Sequence, residues 1–107
     1  MEPLTPAVFH ILLALSEEEK HGYAIMQEVA AETGSTVKMG PGTLYGTLKR
    51  LLDAGLVEES VERSDPKMND ERRRYYRITA AGKRTAVAEA KRLHSLVRTA
   101  KRKGVLA

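Results

Sequence analysis

A mainly helical α+β fold is what the 107-residue sequence predicts: three helices, a β-hairpin, then one long last helix. Three observations carry this. Apolar residues recur every three or four positions up to Gly55. Beyond it the period falls to about two in LVEESVER and RRRYYRIT, two strands joined by SDPKMND, whose Asp-Pro and Asn-Asp pairs are turn chemistry. From Thr79 the helical period returns and runs to about Lys103, before Gly104.

Each element has its own signals. Thr5-Pro6 reads as an N-cap followed by proline at the tolerated first position. In the helix that follows, AVFHILLAL is apolar nearly all round, with Val8, Leu12 and Leu15 on one stripe and Phe9, Leu13 and Ser16 pointing elsewhere. A helix apolar on two faces packs against two things, and in a small protein the second is expected to be another subunit. SEEEKHG interrupts the pattern; YAIMQEVAAET resumes it with Ile25, Val29 and Met26 inward, and Gly34 suits a left-handed C-cap. STVKMG reads as an extended connector contributing one short strand. A third helix is expected from about Gly42 to Ala54, stopped by Gly55. In the last helix, capped by Thr79, the residues Ala86, Ala90, Leu93, Val97 and Ala100 recur at spacings of 4, 3, 4 and 3, flanked by Val87 and Leu96. That heptad-like seam predicts a dimerisation helix. The expected division is a winged helix-turn-helix unit over 1–78 and the dimerisation helix over 79–107.

Composition narrows the function classes. The length suits one compact domain with its own core. No window approaches 18 consecutive apolar residues, so no membrane span is expected, and the apolar patch Val8–Leu15 lacks the basic lead-in of a signal peptide. There is no cysteine, which excludes disulfides and thiolate metal sites and suits a cytoplasmic protein. The net charge is +4, unevenly spread: residues 1–37 hold six acids and one base, residues 38–107 hold 17 bases and eight acids. A balance of −5 against +9 points the second part toward an anionic partner, nucleic acid first.

The third helix has the chemistry to read DNA. At 100° per residue, Leu44, Leu48, Leu51 and Leu52 fall within one arc of about 100°. Opposite lie Gly46, Arg50 and Asp53, with Thr43 and Thr47 to one side and Lys49 to the other. Thr43, Gly46, Thr47 and Arg50 are spaced i, i+3, i+4, i+7 and are expected to form an outward stripe of short polar groups with one long base reader. In a major groove, arginine pairs bidentately with guanine and a threonine methyl meets thymine. Gly46 costs a helix interior roughly 1 kcal/mol relative to alanine; it is expected to let the backbone approach the groove floor. In the hairpin, Arg63, Lys67, Arg72, Arg73 and Arg74 would meet phosphates, diluted by Asp65, Asp70 and Glu71.

HGYAIMQEV, PGTLYGTLKRLLDAGLVEE and RRRYYRITAAGK, in this order and at this spacing, resemble the three signature blocks of the PadR family of bacterial winged-helix transcription regulators. With the intervening chain they cover roughly residues 4–100. The resemblance implies a homodimer that binds a pseudo-palindromic operator in double-stranded DNA and represses, with release by a small-molecule effector or other signal. It implies that the last helix pairs with the partner subunit and its first helix, which would account for the second apolar face carrying Phe9 and Leu13. It places Tyr23 near the DNA backbone, Tyr45, Gly46 and Arg50 at recognition-helix contact positions, and Arg72–Arg74 in the wing. One departure is Gly46, where the family commonly has proline after the tyrosine. Another is a C-terminal part of one helix, which resembles the shorter-tailed branch.

Other function classes fit the residues less well. His10, His21 and His94 are far apart and show no metal-ligand spacing, and no phosphate loop or nucleophile elbow is present, so neither an enzyme nor a cofactor is expected. His21 is expected to hydrogen-bond locally at a helix start. A winged helix serving as a protein-interaction module would show exposed aromatic or apolar anchors on the third helix; Thr43, Gly46, Thr47 and Arg50 offer none. A dimer that mainly binds flat ligands would want tryptophan, and the chain has none.

Overall fold

The computed structural model describes residues 3–37, 39–60 and 74–107. Its first helix, α1 (Pro6–Glu17), starts as the sequence requires: the Thr5 hydroxyl accepts from the Val8 amide at 3.3 Å, with Pro6 in the first turn. Ile11, Leu12, Ala14 and Leu15 are buried, Val8 and Phe9 half-buried, and Leu13 remains 39 % exposed.

A two-residue strand, β1 (Lys20–His21), follows within the charged break. Its ammonium explains why the chain is held there. Lys20 donates to the Ala14 carbonyl at the end of α1 and lies 3.4 Å from the Glu28 carboxylate. A buried ammonium needs such partners. The strand expected in STVKMG is absent from its described residues, so the third strand lies earlier in the chain than the sequence suggested. In α2 (Gly22–Glu32), the His21 imidazole caps the first turn by accepting from the Ala24 amide at 3.1 Å, as expected. Ile25 and Val29 face the core.

The third helix, α3 (Pro41–Asp53), buries Leu44, Leu48 and Leu51, with Leu52 half-buried. It ends where Gly55 takes φ +74°, so that the Leu56 amide bonds back to the Leu51 carbonyl at 3.0 Å and the Gly55 amide to Leu52 at 3.1 Å. This left-handed C-cap turns the chain directly into β2 (Val57–Ser60). Strand β3 (Tyr75–Ile78) returns. The antiparallel sheet has the order β1-β3-β2, with Val57 opposite Ile78, Glu59 opposite Tyr76, and Lys20 also opposite Tyr76. Val57 and Tyr76 close the core from the sheet side, so the described residues form four helices on a small three-stranded sheet.

The last helix, α4 (Ala80–Arg102), starts at a crowded joint with the α3–β2 turn. The Thr79 hydroxyl donates to the Gly55 carbonyl at 2.7 Å and accepts from the Gly82 amide at 3.0 Å, while the Thr79 amide donates to the Leu56 carbonyl at 3.1 Å. A Cβ at Gly82 would fall on that Leu56 carbonyl oxygen and 2.7 Å from an Ile78 side-chain carbon. Only glycine allows α4 to start so close to the α3–β2 turn.

One face of α4 then serves the domain for its first half. Gly82, Ala86 and Glu89 are buried on it. Ala86 packs into the domain's own core at 8 % exposure, which corrects its expected place in a dimer seam. It lies early in α4, the helix that packs on α1 and β3. Glu89, 2 % exposed, is held in a fork by Arg92, with Nε–Oε1 at 2.8 Å and Nη2–Oε2 at 2.6 Å. It also accepts from the Leu4 amide. The Arg92 hydrogen bonds, aided by its charge and by Leu4, hold the Glu89 carboxyl below its ordinary value, against burial. No described helix is long and apolar enough to cross a membrane.

Two outcomes follow for stability. Gly82→Ala should lower unfolding free energy in urea by about 1–3 kcal/mol, toward the upper end because a backbone carbonyl cannot swing aside. Glu89 has a depressed folded-state pKa, so its contribution is present above about pH 4.5 and lost as pH falls through the folded value. Glu89→Gln should therefore be less stable than the parent at neutral pH, and the gap should narrow on acidification below that point. Urea titrations across pH 3–7 read both.

Candidate nucleic-acid interface

The outward face of α3 is small and cationic. Its N-cap is Gly40, which offers no side-chain acceptor, Pro41 occupies the first turn and no acid lies there. The first amides are thus left open at the positive end of the helix dipole. Pro41, Gly42, Thr43, Gly46, Lys49 and Arg50 are all exposed. A Cβ built on Gly46 meets nothing within 4 Å, so packing within the chain does not require glycine there.

Thr47 departs from the expected stripe: it is buried, at 1 % exposure. Its position about 60° from Leu44 puts it on the flank of the leucine arc, where α3 sinks deeper than the four leucines alone implied. Its hydroxyl donates to the Thr43 carbonyl at 2.7 Å and accepts from Arg50 Nη2 at 3.2 Å. Thr47 therefore positions Arg50 rather than presenting itself. The guanidinium keeps its other donors facing out, with the arm steadied from below.

Tyr45 is half-buried and packs α3 onto α2. A Cβ on Gly22 would sit 2.7 Å from the Tyr45 hydroxyl and 2.9 Å from two of its ring carbons, so the phenol end of the ring abuts the backbone at the first turn of α2. Next to it, Tyr23 is 54 % exposed. The HGY run thus supplies, in order, the cap of α2, a floor for Tyr45 and an outward phenol. The role of Gly22 went unread in the sequence, where no partner for its missing side chain is visible.

On the sheet, the described bases are paired. Arg77 Nε lies 2.7 Å from Glu58, its cross-strand neighbour, and Arg74 Nη1 3.6 Å from Glu59. Arg74 also bonds the Tyr76 hydroxyl, whose pKa is raised by burial first and by Glu59 second. The His21 ring meets Tyr75 edge-on at 5.3 Å and joins α2 to the hairpin base. Arg74, expected to face phosphate, is exposed but shares its charge with Glu59. Lys67, Arg72 and Arg73, with Arg63, lie outside the described residues.

Of the seam residues, Ala90 is exposed, Leu93 and Val97 are 36 % and 43 % exposed, and Ala100 is half-buried. Leu96, named only as a flank, is 53 % exposed on the same side. Leu93, Leu96, Val97 and Ala100 continue the arc that Gly82, Ala86 and Glu89 use earlier in the helix. The face that holds α4 to the domain thus runs on, uncovered, past its edge.

Residues 11–88 match the model of the transcriptional regulator PadR-like family. The chain is 36 % identical over 90 residues to transcriptional regulator Rv3488 of Mycobacterium tuberculosis, covering 83 % of this chain and 77 % of that one. It is 38 % identical over 88 residues to an uncharacterized 37.1 kDa protein in transposon TN4556 of Streptomyces fradiae; 82 % of this chain is matched, but it spans only 22 % of that protein. Among solved structures, Bacillus subtilis PadR in complex with operator DNA superposes with a TM-score of 0.67 at 24 % identity, over 81 % of this chain and 46 % of that one. The family model covers most of the chain and the fold agrees with it: the chain belongs to the PadR-like family of transcriptional regulators, a family of regulators rather than enzymes.

Proposed function

We propose that the protein is a homodimeric transcriptional repressor that reads a pseudo-palindromic operator with α3 of each protomer. The observation that carries this is the acid-free outward face of α3 from Pro41 to Arg50, with Arg50 steadied by the buried Thr47. Short groups at Gly42, Thr43 and Gly46 let the helix sit deep in a major groove, while Lys49 and Arg50 extend beyond them. Arg50 is the residue assigned to base readout; Tyr23, Lys49, Lys67 and Arg72–Arg74 are assigned to phosphates. That Bacillus subtilis PadR was solved on operator DNA lends support.

Dimerisation is supported by the uncovered face of Leu93, Leu96 and Val97, together with Phe9 and Leu13 on α1. Exposed apolar side chains of this kind are what one copy offers another. Two α3 helices would then enter successive major grooves about 34 Å apart. Release by a small-molecule effector is the remaining part of this reading, as the family resemblance implies.

Selection of bound duplexes from a random pool should return an inverted repeat with half-sites one helical turn apart. Arg50→Ala should lose about 1–3 kcal/mol on the selected site with relaxed base preference; operator binding equal to the parent would remove α3 from the reading. Gly46→Ala should gain up to about 1 kcal/mol in stability yet bind the operator more weakly. Gains in both would mean that glycine is merely tolerated. Leu93→Glu with Val97→Glu should shift the sedimenting species from dimer to monomer, and a parent that is monomeric at micromolar concentration would refute the dimer.

A further inference from the structure

Between Ala80 and Arg102, helix α4 carries seven bases and a single acid, Glu89, and that acid is occupied by Arg92. Of the remaining six bases, Arg84, Lys91, Arg98 and Arg102 are all exposed and recur at i, i+7, i+14 and i+18. At 100° per residue they fall within an arc of about 40°. That arc is centred nearly opposite the face of Leu93, Leu96, Val97 and Ala100. Covering the apolar face with a second copy would leave the basic stripe in solvent.

Exposed helices ordinarily intersperse charges of both signs, which relieves repulsion between neighbours one turn apart. Here Arg98 and Arg102 stand four residues apart, and none of the four stripe residues has an ion-pair partner among the described residues. Between them lies a shallow cleft bounded by Ser95, Arg98, Thr99 and Arg102. Two guanidinium groups and two hydroxyls at i, i+3, i+4 and i+7 are donors suited to phosphate oxygens. From Arg84 to Arg102 the stripe runs about 27 Å, close to the axial rise of about eight base pairs.

We propose that the outer stripe of α4 is a second, sequence-independent binding surface for the phosphodiester backbone of double-stranded DNA, separate from α3 and the hairpin. It holds either the flank of the operator duplex or a neighbouring duplex brought alongside. The proposal rests on the DNA-binding reading above and adds a contact site to it.

The chain contains no cysteine, so Ser95→Cys introduces a single thiol beside the stripe without removing a charge. Labelled with a photo-crosslinker and mixed with a 60-base-pair random-sequence duplex, it should crosslink to DNA. Crosslinks at limiting duplex assign the flank of the bound duplex; crosslinks that appear only with excess duplex assign a second one. Combining Arg84→Gln, Lys91→Gln, Arg98→Gln and Arg102→Gln should abolish the crosslink in either case. The same combination should weaken non-specific binding at least tenfold at low salt and lower the salt slope by about two to four, at about 0.9 per phosphate contact. Helix content and oligomeric state should be unchanged.

Absence of crosslinks in a DNA-binding parent, or an unchanged salt slope, would overturn the proposal. So would loss of binding to poly-glutamate but not to DNA, which would make the partner an acidic protein. A parent without DNA affinity would overturn both readings. An Arg50→Ala protein with weakened site preference, beside a stripe variant equal to the parent, would leave the operator reading standing and remove this one.

Discussion

The contact on which the rest of the structure depends is the approach of α4 to the turn between α3 and β2. Thr79 donates to the Gly55 and Leu56 carbonyls through its hydroxyl and its amide, and the Gly82 amide donates to the same hydroxyl. They join the helix assigned to DNA, the hairpin and the long helix at one place. Because Gly82 has no side chain, the joint closes backbone to backbone. Glu89 then secures the next turns by holding Arg92 on one side and the Leu4 amide on the other. The direction of α4, and with it the direction in which its apolar face points, follows from these two anchors.

A second theme is the division of labour along each helix. On α3, buried Thr47 and half-buried Tyr45 hold position, and Thr43, Gly46, Lys49 and Arg50 face outward. On α4, one arc is buried in the domain for its first half and bare for its second, while the opposite arc carries Arg84, Lys91, Arg98 and Arg102. Charge and apolar surface are therefore kept apart by geometry rather than by distance in the chain. That is how a small protein with one core can present several surfaces at once.

Much of this was legible from the residues, and the exceptions have physical causes. Helix starts and stops were readable because Thr5, Thr79 and Gly55 act within a few residues of themselves. The leucine face of α3 was readable because its period is regular. Thr47 was misplaced because a wheel gives direction but not depth, and depth depends on what lies beneath. β1 left no trace, since two residues cannot show a period, and its anchor is Lys20, a residue type ordinarily exposed. Ala86 was assigned to a subunit contact because small residues at heptad spacing do not reveal which neighbour covers them. Nothing near Glu89 in the sequence marks it as buried; its carboxylate accepts from the Leu4 amide, 85 positions away.

The seating of Tyr45 on the bare backbone of Gly22 has an evolutionary consequence. At the α2–α3 contact the Tyr45 phenol meets the Gly22 main chain, while Thr43, Gly46, Lys49 and Arg50 are exposed. Thr43, Gly46 and Lys49 stand away from that contact, and among the described residues the Arg50 side chain is linked inward through the Thr47 hydroxyl. A lineage built this way could acquire new target sequences by exchanging a handful of surface residues, with the scaffold insulated from the experiment.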